Sequence, residues 1–538
     1  MCIMSFSIKH IKFFVISLLL WLSGSFYAQK NIPDYDFTVT SHPWLTSKNA
    51  AGLKSFKAGK MSIATINSHK SNGGFINYYE SDNSYDANVL TETYYALNDK
   101  VSVYGKVNYA YFKGQNMGGS VFVSPYDNAF NIVEYADSTA GTKIKESYAI
   151  IGGISTQLTD ALLLGGRVDY QNVSYFKTKD LRHTNDLLNL KTYLGLIYQF
   201  KRFDVGANYY YHRRVESIEF ASFGNTDQQF YSLIDYGGFF GYGENYESLS
   251  RGISRGSSVK PYFNQENGLS VQWVFSKHRS TSFFNELSIT KGAGYYGRQG
   301  TSTAVYTEHS SNSYAYLGKV SITKPSSFHQ LALAASHTDR ENTLNDVNTY
   351  TDDLQGTIIV YGVSQKISNK HRTQLKLDYT GYFGLEQGQA RWQINAQTAY
   401  TSKSLRSIYY EQLSYRDQEI NQLKTEIAAH KNIYSDRNAY RITLGLGYTT
   451  GSGYAFKDTY FTADQGDLVH LDRYAYREFE YFTAERINTQ IGFRYSRLIK
   501  QNKAKIYGEI NYFSIKAFDT EYIGDYWGNA EINLGYQF

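Results

Sequence analysis

The sequence predicts an all-β protein, a transmembrane antiparallel β-barrel of roughly 18 strands, with roughly 14 to 20 compatible with the pattern. Three observations lead to this fold class. Many segments of about ten residues alternate between apolar and polar side chains. The connections between these segments alternate between short and long. The final segment, NAEINLGYQF, also alternates and finishes on an aromatic residue, whereas the ends of soluble chains are usually frayed and polar.

Residues 1–28 have the layout of a secretory signal peptide. Lys9 and Lys12 flank the start of an apolar run at 13–22, and Ala28-Gln29 is a suitable cleavage point. The run is too short to span a membrane as a helix. We therefore expect export through a cleaved signal peptide and integral insertion in the cell outer membrane. Cys2, the single cysteine, would leave with the peptide, so the mature chain has no thiol.

Residues 29–57 form a separate N-terminal segment that does not alternate. It contains Pro33 and Pro43, and then the run Asn49 to Leu53, reading NAAGL. One interpretation is an irregular, hatch-like segment that enters the barrel mouth. The other is an ordinary linker with a turn at Gly52. The run 49–53 resembles the Asn-Pro-Ala-Gly-Leu segment of FadL-like barrels, with Ala50 in place of proline, and this resemblance implies a channel for hydrophobic compounds.

Residues 58–538 carry the barrel pattern. In one clear example Ile442, Leu444 and Leu446 oppose Arg441 and Thr443. The segments 58–68, 74–81 and 424–432 are ambiguous. The clear segments begin near residues 87, 101, 146, 161, 189, 203, 267, 281, 313, 327, 357, 372, 391, 405, 438, 485, 505 and 527.

The connections predict which end of the barrel faces the periplasm. Short turns at that end would alternate with long extracellular loops, an asymmetry that a soluble sandwich has no reason to show. The predicted short turns are 98–100, 158–160, 201–202, 276–280, 324–327, 368–371 and 500–503. The predicted long loops are 114–145, 176–188, 217–265, 295–312, 339–356 and 450–483.

The amino-acid composition fits an outer-membrane protein and argues against a nucleic-acid-binding protein. The chain holds 52 Tyr and 32 Phe, and aromatic rings favour the membrane interface. Charges such as Arg167, Asp169, Arg494 and Glu509 occupy the polar parity and would line the lumen. The formal charge falls from +5 to +3 once Lys9 and Lys12 are removed, and without a clustered basic stripe no nucleic-acid partner is expected.

We expect no enzyme, no cofactor and no metal site. Sequence motifs for metal hydrolysis, phosphate binding or a serine nucleophile are absent. The 12 histidines are scattered, and the spacing of His329 and His337 does not build a metal site alone. A barrel hydrolase would need a Ser or Asp beside a His, and this is the least favoured hypothesis.

The loop 217–265 is the strongest candidate for a binding surface. It interleaves aromatic residues with Gly237, Gly238, Gly241 and Gly243. Aromatics on an adaptable backbone suit a docking surface for a partner or ligand at the cell surface. The alternative is a loop that folds over the mouth and packs on its own rings. The candidate partner-binding residues are Phe230, Tyr231, Tyr236, Phe239, Phe240, Tyr242 and Tyr246.

Taken over the mature length, the chain resembles the outer-membrane β-barrel proteins of Bacteroidota. The resemblance rests on Ala28-Gln29, on the Tyr-rich strands and on the terminal Tyr536-Gln537-Phe538. It implies surrounding outer-membrane lipid and an assembly signal, Tyr536 and Phe538, for the barrel-assembly machinery. Such proteins are often encoded with TonB-dependent transporters. The resemblance therefore implies a TonB-dependent transporter or a surface lipoprotein as a partner in uptake.

Three functions follow as hypotheses. The first is a non-enzymatic, porin-like transport protein or an accessory subunit of a surface uptake complex. The second is a FadL-like channel for hydrophobic compounds. The third is a closed-lumen scaffold that binds a partner at the cell surface.

Overall fold

The computed structural model describes residues 34–538, apart from 135–138, 225–228, 247–258, 276–279, 301–302, 353–355, 411–412, 462–467 and 500–503. The predicted signal peptide, 1–28, lies outside this range, as do residues 29–33 of the N-terminal segment. The described chain contains the helices α1 (Tyr35–Thr40) and α2 (Asp472–Thr483) and a 3₁₀ helix (Ala50–Ser55). None of these helices is long and apolar enough to cross a membrane.

Strands make up most of the fold. In chain order they are β1 (Lys60–Gly73), β2 (Asn83–Ala96), β3 (Val101–Met117), β4 (Asn131–Glu134), β5 (Gly141–Gln157), β6 (Leu162–Lys177), β7 (Arg182–Gln199), β8 (Phe203–Ala221), β9 (Tyr231–Asp235), β10 (Phe240–Asn245), β11 (Lys260–Phe275), β12 (Thr281–Gly300), β13 (Thr303–Lys324), β14 (Ser327–Leu344), β15 (Val347–Asp352), β16 (Gly356–Tyr361), β17 (Gln365–Phe383), β18 (Trp392–Tyr409), β19 (Ser414–Ser435), β20 (Asn438–Tyr460), β21 (Leu468–His470), β22 (Arg486–Ile499), β23 (Ala504–Ala517) and β24 (Tyr526–Gln537).

Eighteen of these strands close into one antiparallel barrel, which confirms the predicted fold class. Each barrel strand pairs with the next barrel strand along the chain, and the last, β24, pairs with β1. At this seam Ile66 lies opposite Leu534, and the Ser62 and Phe538 backbones exchange two hydrogen bonds of 2.8 and 2.9 Å. The remaining strands form a four-stranded sheet (β4, β9, β10 and β21) and the β15–β16 hairpin.

The outer face of the barrel carries an apolar belt. Side chains such as Leu194, Leu269 and Ile491 are 63, 66 and 62 % exposed, which is costly in water and favourable in lipid. Exposed rings flank the belt on both sides, as at a membrane interface. On the short-turn side they include Tyr198, Phe275, Trp392 and Tyr495. On the other side they include Tyr148, Tyr209, Tyr314 and Tyr448.

The inner face takes the polar parity, as alternation along each strand requires. Charged pairs there satisfy one another. The Arg167 Nε and Asp169 Oδ1 atoms lie 2.6 Å apart, and the Arg494 Nη2 and Glu509 Oε2 atoms 2.7 Å apart.

Two predicted segments are not separate barrel strands, although the predicted number is right. The segment near 357 is β16, which lies outside the barrel sheet, and the segment near 405 is the end of β18. Their places are taken by β1 and β19. These strands contain the ambiguous segments 58–68 and 424–432, because small or polar residues such as Thr425 and Ala429 dilute the outward apolar parity of β19.

Some predicted connections are also wrong. The predicted long loops 176–188 and 295–312 are mostly strand, since β6 runs to Lys177 and β13 begins at Thr303. The predicted short turn 368–371 lies inside β17. On the long-loop side the strands extend beyond the apolar belt, and both of their faces then meet polar surroundings. The alternation of apolar and polar residues that marks a membrane-spanning strand is lost there.

Deleting Tyr536 to Phe538 should lower the amount of protein in the outer membrane. The deletion removes the final pairings of the seam with β1 and leaves β1 backbone groups without partners in lipid. Immunoblots of outer-membrane fractions measure the effect. Replacing the exposed Lys291 by Gln serves as the control, and wild-type levels of the deletion variant would contradict this role.

Candidate functional site

The N-terminal segment lies inside the barrel at the short-turn end. Its helix α1 begins after Asp34, whose side chain accepts a hydrogen bond from the Phe37 amide at 3.1 Å. The Asp34 carboxylate also lies 3.3 Å from Arg441 on the inner face of β20. We refer to residues 34–57 as the N-terminal plug.

Asn49 fixes the N-terminal plug to the barrel wall. Its Oδ1 atom accepts a hydrogen bond from the Ala51 amide at 3.0 Å and so caps the 3₁₀ helix. Its Nδ2 group lies within hydrogen-bond distance of the backbone oxygens of Leu196 (3.0 Å) and Ala207 (3.1 Å) and of Gln272 Oε1 (3.0 Å). The residue is 2 % exposed, so one amide side chain both shapes the plug and binds three neighbouring strands.

Glycines on the inner wall make room for this contact. A Cβ atom on Gly195 would lie 2.0 Å from Asn49 Oδ1, and one on Gly165 would lie 2.3 Å from the Ala51 amide nitrogen. Only glycine therefore allows the backbone of the plug to approach these strands so closely. Trp44 extends the contact, because its ring packs edge-on against Phe284 at 5.5 Å between centroids.

A second plug fills the opposite end of the barrel. We define the outer plug as residues 118–134, 229–246 and 468–483, which include the sheet β4–β9–β10–β21 and helix α2. Its apolar side chains pack on inward residues of the wall, including Tyr262, Tyr296 and Tyr409. The Phe130 and Tyr296 rings, for example, lie 5.1 Å apart.

The predicted partner-binding residues belong mostly to this plug and to its core. Phe230, Tyr236, Phe239, Phe240 and Tyr246 are at most 7 % exposed, and Tyr242 packs partly against the same cluster. Tyr231 is 40 % exposed. Five of the seven rings are therefore occupied in packing the mouth, the arrangement that the self-packed alternative describes. Docking of a partner on this loop stays a prediction.

Buried ion pairs join the outer plug to the wall. The Arg416 guanidinium is fully buried and forms a two-pronged pair with Asp458, at 2.6 and 2.7 Å. It also donates to the Gly238 backbone oxygen at 2.9 Å and lies 2.9 Å from Asp472 of α2. The desolvation cost of a buried guanidinium is offset only while all of its partners stay in place. Arg416 therefore holds the outer plug in a defined position.

A chamber of about 420 Å³ lies below the outer plug. Inward residues of the barrel strands and residues of the outer plug, including helix α2, contribute to its lining. Its acidic side chains are Asp127, Asp235, Glu266 and Glu478. Its basic side chains are Lys191, Arg214, Arg340, Lys370, Arg372 and Lys403.

Five of these six basic groups, all except Arg214, make no ion pair with any carboxylate in the described parts of the chain. Arg340 and Lys370 donate only to the backbone oxygens of Asn128 and Ala129, each at 2.7 Å. The Lys403 ammonium lies over the Phe482 ring at 3.6 Å, a cation–π contact. Arg372 has no hydrogen-bond partner among these residues. With six basic side chains and four carboxylates in its lining, the chamber presents a net positive charge to whatever occupies it.

Asp235 makes the charge of the chamber sensitive to pH. Burial in the outer plug raises the pKa of its carboxyl group to about 6, although the positive charge of Lys370 opposes the shift. The group therefore loses its negative charge as the pH falls through that value, and the chamber becomes more positive.

Sequence reasoning missed this chamber because it placed a turn at 368–371. Every second side chain of β17 faces the lumen, and Lys370 and Arg372 belong to this inward set. The set continues towards the short-turn end with Gln374, Lys376 and Asp378. Extending that set towards the long-loop end would have found Lys370 and Arg372. Asp235 and Glu478, which come from the outer plug, carry no such signal in the sequence.

Two Ser–His pairs in the described residues bear on the hydrolase hypothesis. Ser41 Oγ and His42 Nδ1 lie 3.1 Å apart, and the same His42 nitrogen lies 3.0 Å from the Thr38 backbone oxygen. Ser327 Oγ lies 3.1 Å from His329 Nε2 on the outer face of β14. The other ring nitrogen of His329 faces the Tyr379 hydroxyl at 2.9 Å, where a catalytic triad has a carboxylate. This pair therefore lacks the group that would orient and charge the base.

Comparison with known proteins places the chain in a family. A sequence model described as a family of unknown function (DUF6850) matches residues 50–538. No curated protein sequence matches the chain.

Solved structures resemble the fold at low identity. The ferric preacinetobactin receptor BauA from Acinetobacter baumannii has 10 % identity and a TM-score of 0.41, covering 89 % of this chain and 80 % of the receptor. The copper transporter OprC has 8 % identity and a TM-score of 0.43, with 90 and 81 % covered. A mutant of the monoaromatic hydrocarbon channel TodX has 11 % identity and a TM-score of 0.30, with 92 and 93 % covered.

Replacing Asn49 by Ala should loosen the N-terminal plug. The two hydrogens of the Asn49 Nδ2 group are shared among three wall acceptors, so about two hydrogen bonds, each worth about 1 kcal/mol, are lost. Amide exchange in residues 44–57 should therefore be roughly 30-fold faster. Gly195→Ala should act in the same way, because its Cβ atom meets Asn49. Hydrogen–deuterium exchange of the protein in detergent measures this.

Gly152→Ala is the matched control, since nothing lies within 4 Å of a Cβ atom at that position. It should leave exchange unchanged. Equal protection of residues 44–57 in all three variants would show that Asn49 does not hold the plug.

Proposed function

The chain belongs to DUF6850, and we propose that it is a non-enzymatic outer-membrane transport barrel that admits a small anionic solute to its lumenal chamber. The observation that carries the proposal is the cluster of unpaired cations in the chamber between the two plugs, with Arg340, Lys370, Arg372 and Lys403 among them. The apolar belt and its flanking rings support insertion in the outer membrane.

The chamber favours an anion for electrostatic reasons. Arg340, Lys370, Arg372 and Lys403 converge on a space that is partly shielded from bulk water, where their attraction for an anion is stronger than at an open surface. Hydrogen bonds from charged donors are also the stronger kind. The volume suits a small solute and excludes a folded protein.

The alternative of a FadL-like channel has one supporting feature, the seating of the run 49–53 as a plug. The charged lining argues against a hydrophobic cargo, because an apolar solute would desolvate Arg372 and Lys403 without returning a hydrogen bond. A closed-lumen scaffold is the remaining alternative, and it predicts no transport at all.

A signal from a partner that moves the plugs would raise transport above the basal rate of the barrel alone. The N-terminal plug and the outer plug close opposite ends, and each is held by several polar contacts. The partner classes that the family resemblance implies, a TonB-dependent transporter or a surface lipoprotein, are candidates for that signal. Tyr231 on the outer plug, 40 % exposed, is the most accessible ring of the predicted docking set.

Uptake of labelled inorganic phosphate into proteoliposomes tests the proposal, with glucose as a neutral solute of similar size. The wild-type protein should favour phosphate. The double variant Arg372→Gln, Lys403→Gln should reduce phosphate uptake at least tenfold, since each charged hydrogen bond contributes roughly 1.5 to 3 kcal/mol. Glucose uptake should change little.

Lys291→Gln, on the outer face of β12, removes a positive charge outside the lumen and should leave phosphate uptake unchanged. Equal uptake of phosphate by the double variant and the wild type would refute the anion proposal. No uptake of either solute by any of these proteins, including the variant Asn49→Ala, would favour the scaffold alternative.

A further inference from the structure

We propose that His337, Asp339 and His371 form a binding site for a divalent transition-metal ion, with Zn²⁺ as the best-fitting ion, on the outer wall of the barrel. One donor atom from each side chain lies within 4.8 Å of the other two. The three side chains lie on the outer face of the barrel wall, although His371 also borders the lumenal chamber between Lys370 and Arg372. Metal binding at this site is a function distinct from the proposed transport.

Strand register brings the three residues together. His337 and Asp339 are two residues apart on β14, so both side chains point to the same face. Asp339 lies directly opposite His371 on β17, and His337 lies opposite Thr373. The side chains share the outward parity of Leu333 on β14 and Leu375 on β17, which are 45 and 46 % exposed.

The donor atoms already converge on one carboxylate oxygen. Asp339 Oδ1 lies 2.5 Å from His371 Nδ1 and 3.0 Å from His337 Nε2. Donors bound to Zn²⁺ at roughly 2.0 to 2.2 Å are about 3.4 Å apart in a tetrahedron. Small side-chain rotations therefore suffice to place all three donors around one ion.

Thr373 fixes the orientation of one ligand. Its Oγ1 atom lies 2.9 Å from His337 Nδ1, so the opposite ring nitrogen, Nε2, stays directed at Asp339. Metal-binding histidines are commonly held in this way by a partner on the second ring nitrogen. The His337 and His371 rings are also nearly parallel, at 17°, with centroids 6.4 Å apart.

Neighbouring cations do not compete for the carboxylate. On the same two strands the Lys366 ammonium lies 2.6 Å from Glu341. On the adjoining hairpin Arg406 pairs with Asp417 at 2.7 Å. Asp339 instead faces two imidazoles, and neutral imidazole with carboxylate is a donor set that suits Zn²⁺, Cu²⁺ and Ni²⁺ and disfavours Ca²⁺ and Mg²⁺.

The site is open to ions at the membrane surface. His337 lies opposite Tyr314, one of the rings on the outer side of the apolar belt. Both histidine side chains are 44 % exposed and Asp339 is 39 % exposed. Three protein ligands also leave one tetrahedral position for water or an external donor, as in zinc sites that bind a further ligand.

Isothermal titration of untagged, chelator-treated protein in detergent with ZnCl₂ tests the site. The wild-type protein should bind one Zn²⁺ here. His337→Ala and His371→Ala should each weaken binding by at least roughly 30-fold, and Thr373→Val by about tenfold through its effect on His337. CaCl₂ should give no comparable binding.

His329→Ala is the matched control, because His329 also points outward from β14 but has no second histidine or aspartate partner among the residues that the structure describes. It should bind Zn²⁺ as the wild type does. Heat-modified mobility on gels verifies that each variant is a folded barrel. Wild-type Zn²⁺ affinity in folded His337→Ala and His371→Ala protein, or the absence of a stoichiometric site in the wild type, overturns the proposal.

Discussion

The seam between β1 and β24 is the constraint on which the rest of the structure depends. Lipid offers no hydrogen-bond partner to a backbone amide, so a sheet that crosses a membrane must close on itself. Register across the seam runs from Ile63 opposite Gln537 to Gly73 opposite Trp527. Closure then assigns every side chain to one of two environments, and the alternation along each strand becomes an apolar belt outside and a polar wall inside.

Eighteen strands enclose more space than inward side chains can fill. The N-terminal plug and the outer plug occupy much of it, each through contacts that demand particular residues. Gly165 and Gly195 admit the backbone beside Asn49. Buried Arg416 of β19, paired with Asp458 of β20, ties the outer plug to the wall through the Gly238 backbone oxygen and Asp472. The space between the plugs is the charged chamber, so the candidate site is a consequence of barrel size and of how both ends are filled.

Fold class was predictable because a membrane imposes period-two patterning on every spanning segment. The strand number was right because two wrongly predicted strands offset the two ambiguous ones, β1 and β19. Leu444 and Leu446 show that pattern plainly, and β19 shows it weakly because Thr425 and Ala429 face outward. The site was less predictable. Lys370 and Arg372 lie above the belt, where both faces of the strand are polar, and Asp235 reaches the chamber through long-range packing of the outer plug. A local pattern carries no information on such contacts.

The most direct test of the charged chamber is anomalous diffraction from crystals soaked in sodium selenate. The protein as described here should bind the dianion between Arg372, Lys403 and Lys370, giving a selenium peak inside the barrel below the outer plug. A peak at that place supports the chamber as an anion site. Selenium peaks confined to the outer surface, with none inside the barrel, would contradict it.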